Sequence, residues 1–406
     1  MAAVSYRKVF YYALLNFLFF AFYWGTHMYL PYYYKQVGLS DSHIGFLISM
    51  VSLTTLILVF PIGVLSDRID PKKLFLAGSI IGIAFAILLL YKGRVKVFEP
   101  YIFIFALAVA MVQISLSAHF LKQMEEISRG SQSAIYSIGG ILGAGVAAQI
   151  AGMIVKNYGP ERLFWSTLCF AILLFVCGFG LPKIKGIPFH ISEYKEDLRH
   201  PLSWILIFIA FIVSSHSGFE HVGYTLIQTE VIGLTTEQAG RIFLYISFTM
   251  TIMSWVSGAI HDRAKKPVLW AGLALLLSGV FQSASGYGTG FYSYLGLRMV
   301  HVIGDSFSGV LILVIASVAF TKKRAGGSWA ILLLVRNLSD VIFSNVAGHL
   351  NQTIGLRQGF LVSGILVVIA GLLVIFVLRP LFWKQIEKPE LTGALKQAES
   401  QMDIDV

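Results

Sequence analysis

Seven ionisable side chains stand inside stretches that are otherwise apolar, and their spacing asks for a chemical explanation. Glu220 and His221 lie in "SSHSGFEHVGY", Arg298, His301 and Asp305 in "LRMVHVIGDSFSG", and Arg336 with Asp340 in "VRNLSD". On a helix Asp305 follows His301 by one turn and Arg298 by two, so the three share a face; Arg336 and Asp340, four apart, can neutralise each other locally. A carboxylate in a low-dielectric setting tends to keep its proton, and a neighbouring guanidinium reverses that. A motion that parts Glu220 or Asp305 from Arg298 and His301 could therefore capture or release a proton. A permanently paired network that fixes helix register is the other reading of these residues, and both stand at this point. His27, His216, His221 and His301 offer imidazoles that suit a divalent transition metal. They lie on three helices without the close-spaced ligand pair that such a site favours, and no metal is expected.

The elements that hold these residues follow from composition. Of 406 residues, 56% are hydrophobic and only 13% charged, about half the charge fraction of a water-soluble domain. A spanning helix needs about 20 apolar residues, and that ruler marks twelve spans: 9–34, 43–65, 74–91, 99–121, 133–155, 163–181, 203–227, 238–260, 267–285, 291–320, 328–350 and 357–379. The first is far longer than the apolar core of a cleavable leader and should remain in the mature chain. Cys169 and Cys177, the only cysteines, fall in one span and are expected to pack as small core residues.

The loops give the orientation. Both chain ends and the even-numbered turns together carry 21 of the 31 Lys and Arg residues, which places both termini in the cytoplasm by the positive-inside rule. The net charge of +10 is scattered through these short loops, so it has a topological use and does not call for nucleic acid. Tyr32, Tyr33 and Tyr34 fall at the outer end of the first span and are expected to anchor in the headgroup layer.

A repeat is visible. "GLSDSHIG" begins at Gly38 and "GLTTEQAG" at Gly233, 195 residues later; the same offset carries Gly63 to Gly258, Asp67 to Asp262, Arg68 to Arg263, Arg129 to Arg324 and Arg162 to Arg357. The expected organisation is an all-α membrane protein of two pseudo-symmetric six-helix bundles, 1–181 and 203–383. A polar cytoplasmic connection, 182–202, and a mobile tail, 384–406, complete the chain. Parallel repeats of this kind fit a carrier whose halves rock about a central site.

The segment "GVLSDRIDPKK", Gly63 to Lys73, resembles the cytoplasmic loop signature between the second and third helices of the major facilitator superfamily. Gly63, Leu65, Asp67, Arg68, Lys72 and Lys73 match, while Asp70 stands where glycine is common; "GAIHDRAKKP" from Gly258, with Asp262 and Arg263, is a weaker second copy. The resemblance covers both halves. It implies alternating access, with Gly63, Asp67, Arg68 and Arg129, and their counterparts Asp262 and Arg263, forming a latch on the cytoplasmic side. A carboxylate at the end of its own helix opposes the local dipole, so Asp67 needs compensation from elsewhere. "SIGGILGAGVAAQIAG" in span five resembles the antiporter glycine motif of that superfamily, but Ala144 replaces its proline. Gly139, Gly140 and Gly143 also serve close helix packing in lipid.

The expectation is a secondary transporter of the cytoplasmic membrane, proton-coupled, moving a small organic solute, with export of drug-like or amphipathic compounds as one form. Uptake of an anionic metabolite bound by Arg298 and Arg336, facilitated uniport, metal-ion transport and a non-transporting receptor remain as alternatives. Candidate cavity residues are Trp24, His27, Gln113, Phe219 and Tyr224. The expected partners are the solute, protons and membrane lipids, with no cofactor, no catalysis and a functional monomer. No phosphate-binding glycine loop or nucleophile elbow occurs in a strand-turn-helix context.

Overall fold

A computed structural model describes residues 6–92, 97–123, 129–184, 201–263, 266–319 and 325–380. Most of the 182–202 connection and the whole 384–406 tail lie outside the described residues, as do the side chains of Asp67, Arg129, Asp262 and Arg263.

The helices are α1 (Tyr6–His27), α2 (Leu30–Gln36), α3 (Asp41–Arg68), α4 (Pro71–Lys92), α5 (Glu99–Gln123), α6 (Arg129–Tyr158) and α7 (Leu163–Gly178). They continue with α8 (Pro201–Leu226), α9 (Thr236–Arg263), α10 (Pro267–Ser285), α11 (Phe291–Ala319), α12 (Ala325–Thr353) and α13 (Leu356–Leu373). Ten segments among the described residues are long and apolar enough to cross a membrane; α11 and α12, each of 29 residues, complete twelve crossings. The first crossing is α1 and α2 together. Its break at Met28 and Tyr29 follows from Pro31 at the start of α2, since proline lacks the N–H that a continuous helix needs but is well suited to a helix's first turn.

The repeat is structural as well as textual. Gly38 and Gly233 both adopt positive φ, 91° and 78°, a conformation open to glycine and strained for other residues. Two residues after each comes a helix cap. The Ser40 hydroxyl accepts from the backbone N–H of His43 at 3.3 Å, and Thr235, 195 positions on, does the same for Gln238 at 3.2 Å while Gln238 Oε1 accepts from the Thr235 N–H at 2.9 Å. That reciprocal exchange is a capping box.

Packing obeys the same symmetry. In the first bundle α1 packs on α6 and α7, α5 on α3 and α4, and α4 on α7; in the second, α8 packs on α12 and α13, α11 on α9 and α10, and α10 on α13. The bundles meet through α6 with α9 and through α3 with α12, which are equivalent pairs. Glycine sets the spacing on both faces of α6. A Cβ at Gly139 or Gly143 would stand 2.2 Å from the carbonyl oxygen of Ala13 or Phe17 on α1, and one at Gly152 2.3 Å from Thr236 O on α9. Helices approach this closely in lipid only where side chains are small.

The outward faces carry Phe10, Ile57, Trp255 and Phe376, all exposed, as expected against hydrocarbon. Cys169 is exposed on such a face and is not a core residue, because α7 turns that side away from α1 and α4. Tyr33 and Tyr34 are buried against Phe98 and Phe164, packed inside the bundle by the turn that α2 makes, and so do not anchor in headgroups.

Candidate functional site: a central cavity beside a buried charge network

Two polar regions lie between the helices, and α8 touches both. The first is a charge network in the second bundle. Glu220 and Arg298 are joined, with Oε1 2.6 Å from Nη2. The other guanidinium arm donates to Gln282 Oε1 on α10, and its plane lies over the Tyr224 ring, 5.1 Å from the centroid. Arg298 is 1% exposed, so it is fixed from three sides by an acid, an amide and an aromatic face. Asp305 receives the Ser278 hydroxyl at 2.5 Å, while its Oδ2 lies 3.2 Å from His301 Nε2 and 3.3 Å from His216 Nε2. His301 Nε2 is also 3.5 Å from Glu220 Oε1.

The imidazoles are oriented from behind. His301 Nδ1 lies 2.9 Å from the Ser278 carbonyl and His216 Nδ1 2.5 Å from that of Val213; a carbonyl only accepts, so Nδ1 carries a hydrogen in each ring. Each Nε2 then faces carboxylate oxygens and can engage them only as a donor. A second proton on the ring faces these oxygens with opposite charge, and its loss sets lone pair against lone pair. Two carboxylates against one guanidinium leave one negative charge, which one proton on the histidine pair closes. Glu220, Asp305 and His216 keep 20%, 18% and 14% of their side-chain surface, so the network is not fully enclosed.

The spacing of His216 and Glu220, four apart on α8, was the overlooked signal. Compared with His221, His216 has no useful register, but paired with Glu220 it shares a face, and with His301 the three offer ligand atoms all within 4.8 Å. A close-spaced ligand pair therefore exists, contrary to the expectation from sequence. Arg298, at 2.6 Å from the same Glu220 oxygen, sets a fixed positive charge where a cation would sit. Ser278 and Gln282 were also missed, because uncharged polar residues on α10 carry no spacing signal of their own.

The second region is an open cavity between the bundles. Trp24 and Gln113 line it, as do Phe20, Tyr23, Ser52, Thr55, His221, Asn337, Arg336 and Asp340. His27, Phe219 and Tyr224 do not. His27, 1% exposed, meets Trp24 and His221 edge to face; Phe219, also 1% exposed, packs on Phe343; and Tyr224 belongs to Arg298. Each lies on a helix that lines the cavity but points away from it, a distinction that linear position does not resolve.

Arg336 and Asp340 are not joined. Among the described residues neither makes an ion pair within 4.0 Å, and Asp340, 4% exposed, has an Oδ1 without a hydrogen-bond partner. Helical side chains lean toward the N-terminus, so Asp340 leans toward Arg336 while Arg336 leans away, the weaker order for a pair four apart. Gly63 and Arg68 sit near the end of α3, where Arg68 is exposed. In that region Lys72 Nζ donates to the carbonyls of Phe179 and Leu181 at 2.6 and 2.8 Å, capping the end of α7, and Lys122 Nζ donates to Ser66 O at 2.9 Å.

Among the described residues the hydrogen bonds and ion pair that join the bundles lie at the opposite end. The Tyr29 hydroxyl lies 3.0 Å from both Ala148 O and Thr236 O, Thr225 Oγ1 donates to Met28 O at 2.5 Å, and Ser42 N–H to Gln352 Oε1 at 3.2 Å. Lys156 meets Glu237 at 2.5 Å. Gly45 and Gly348 pass so closely that a Cβ on either would lie 2.9 Å from the other's Cα.

Twelve membrane crossings in two symmetric bundles around a polar cavity, sealed at one end, define a carrier that exposes its site to one side at a time. A family model described as the Major Facilitator Superfamily matches residues 12–281, and the chain belongs to that family, whose members carry small solutes across membranes and are not enzymes. Lactose permease of Klebsiella oxytoca is 23% identical over 391 residues, 86% of this chain and 90% of that protein. The membrane sensor protein UhpC of Salmonella typhimurium is 20% identical over 202 residues; that match spans 50% of this chain and 43% of the sensor. In fold the chain is similar to a bacterial homologue of the human lysosomal transporter Spinster, solved inward-facing and unoccupied, with a TM-score of 0.71 and 15% identity over 95% of this chain and 99% of that one.

Proposed function

We propose that this chain is a proton-coupled carrier of a small polar organic solute in the cytoplasmic membrane, with both termini in the cytoplasm. The observation that carries the coupling is the network's charge count. Glu220, Asp305 and Arg298 close to neutrality with one proton on His216 and His301, and both rings hold Nε2 within 3.5 Å of a carboxylate oxygen. The proton site adjoins the solute site through α8, because Glu220 faces the network and His221, the next residue, faces the cavity. Movement of α8 as the bundles rock is felt at both.

The basic loops put the 66–73 turn on the cytoplasmic side. The joined end is then external, and the described conformation is the one closed to the outside. Asp67, Arg68 and Arg129, with Asp262 and Arg263, are assigned to the cytoplasmic latch on the strength of the loop motif alone. The cavity's polar wall, which includes Arg336, Asp340, Gln113 and Asn337, favours a polar solute over the amphipathic drugs that an uncharged first half had indicated. The alternative of a non-transporting sensor has the UhpC match on its side.

The test is flux in proteoliposomes. Solutes that raise the thermal stability of the purified chain are assayed for accumulation under an imposed proton gradient. Gradient-driven accumulation supports the assignment; saturable flux indifferent to pH makes the chain a uniporter, and binding without flux makes it a sensor.

A further inference from the structure

The cavity's two opposite charges are left apart, and that points to what fills it. Arg336 and Asp340 stand one helical turn apart on the same face of α12, both lining the cavity, and neither has an ion-pair partner among the described residues. Asp340 is almost wholly buried with Oδ1 unsatisfied, a costly state for a group in a closed carrier. The opposite wall, on α1, presents the rings of Phe20, Tyr23 and Trp24.

Resting on the carrier reading above, we propose that the cavity binds a small zwitterion with an apolar body, such as an aromatic amino acid: Arg336 takes its anionic group, Asp340 its cationic group, and the body lies against Tyr23 and Trp24. A ligand with one charge satisfies one side chain and leaves the other unpaired, Asp340 in a buried setting or Arg336 exposed in the open cavity. An uncharged ligand leaves both unneutralised as the cavity closes. Only a ligand with both charges answers both, and breaking such a matched arrangement by removal of one partner is strongly unfavourable. Gln113 and Asn337 remain to accept and donate around the charged ends. No covalent step is involved.

The test uses four probes that share a phenyl ring and differ in charge: L-phenylalanine, 2-phenylethylamine, 3-phenylpropionate and 2-phenylethanol. Binding to the purified full-length chain is measured by tryptophan fluorescence and calorimetry. L-Phenylalanine is expected to bind at least about tenfold more tightly than the other three, a difference of about 1.4 kcal/mol. Arg336→Gln should move the preference to the amine and Asp340→Asn to the propionate, so each variant gains a ligand and its folding is shown by that gain. Equal binding of the four, no binding of L-phenylalanine, or variants that lose affinity without exchanging preference would overturn the assignment. The carrier reading fails differently: L-phenylalanine bound with the expected preference, yet unmoved by any proton gradient, keeps the zwitterion site and overturns proton coupling. A singly charged or neutral solute accumulated by the gradient does the reverse.

Discussion

The two bundles share a helix plan and differ in what fills them. Where the second bundle buries Arg298, His301 and Gln282, the first buries Phe19, Phe22, Phe85 and Phe105. The caps at Ser40 and Thr235 and the glycines at 38 and 233 match, so the shared part is the machinery of packing and turning. The unshared part is the chemistry. On the proposed reading, the symmetric scaffold rocks between two states and the ionisable cluster of the second bundle biases that rocking according to whether it holds a proton.

The largest break in this comparison is Arg298→Ala. It strands Glu220 in the second bundle without its partner, and loss of one member of a buried pair costs about 3–5 kcal/mol; thermal denaturation should show a marked loss of stability, and Arg298→Lys should recover part of it. Phe105→Leu on the other side, a change between apolar residues, should cost far less, at most about 1.5 kcal/mol. If the two substitutions destabilise equally, the asymmetry assigned here is misplaced.

Gly348→Leu acts on the shared machinery. Its Cβ would come within 2.6 Å of Asp41 O, so the end now joined could not close. The protein should fold, trap its cavity open toward that end and lose transport by more than about tenfold, since overpacking at a tight contact costs about 1–3 kcal/mol. Cysteine labelling at position 42 should rise in parallel.

Glu220→Gln and Asp305→Asn sharpen the difference more gently. Each removes one charge from the network and should reduce proton-driven accumulation while solute exchange without a gradient is spared; equal loss of both, with loss of stability, favours a purely structural network. Asp67→Asn should leave folded protein but slow the conformational cycle, and normal flux with normal conformational populations would remove Asp67 from the latch. The smallest effect is expected from Tyr29→Phe, which removes a hydroxyl between Ala148 O and Thr236 O. A shift of about 1 kcal/mol toward the open end is expected, readable by the same labelling.

Much of this architecture was legible before any coordinates. Lipid imposes a length on each crossing, so twelve spans could be counted, and the offset of 195 survives in the turns because caps and left-handed glycines tolerate few substitutes. The first span reads as one helix by apolar length, which hides the break that Pro31 makes. In the site, the face shared by Arg298, His301 and Asp305 follows from helical spacing alone. Which side chains converge across helices does not follow from spacing. His216 needed α8 and α11 to be brought together before it met Asp305, and the direction of the Arg336 and Asp340 side chains decided whether those two would meet each other or a ligand.

The most direct measurement is solute-driven proton movement in proteoliposomes loaded with a pH-sensitive dye. A gradient of a transported solute, with no proton gradient imposed, should move one proton per solute in the wild-type chain and move solute with far fewer protons in Glu220→Gln and Asp305→Asn. Solute flux in the wild-type chain with no accompanying change in pH would contradict the account, and would leave the buried charges of the second bundle as structure alone.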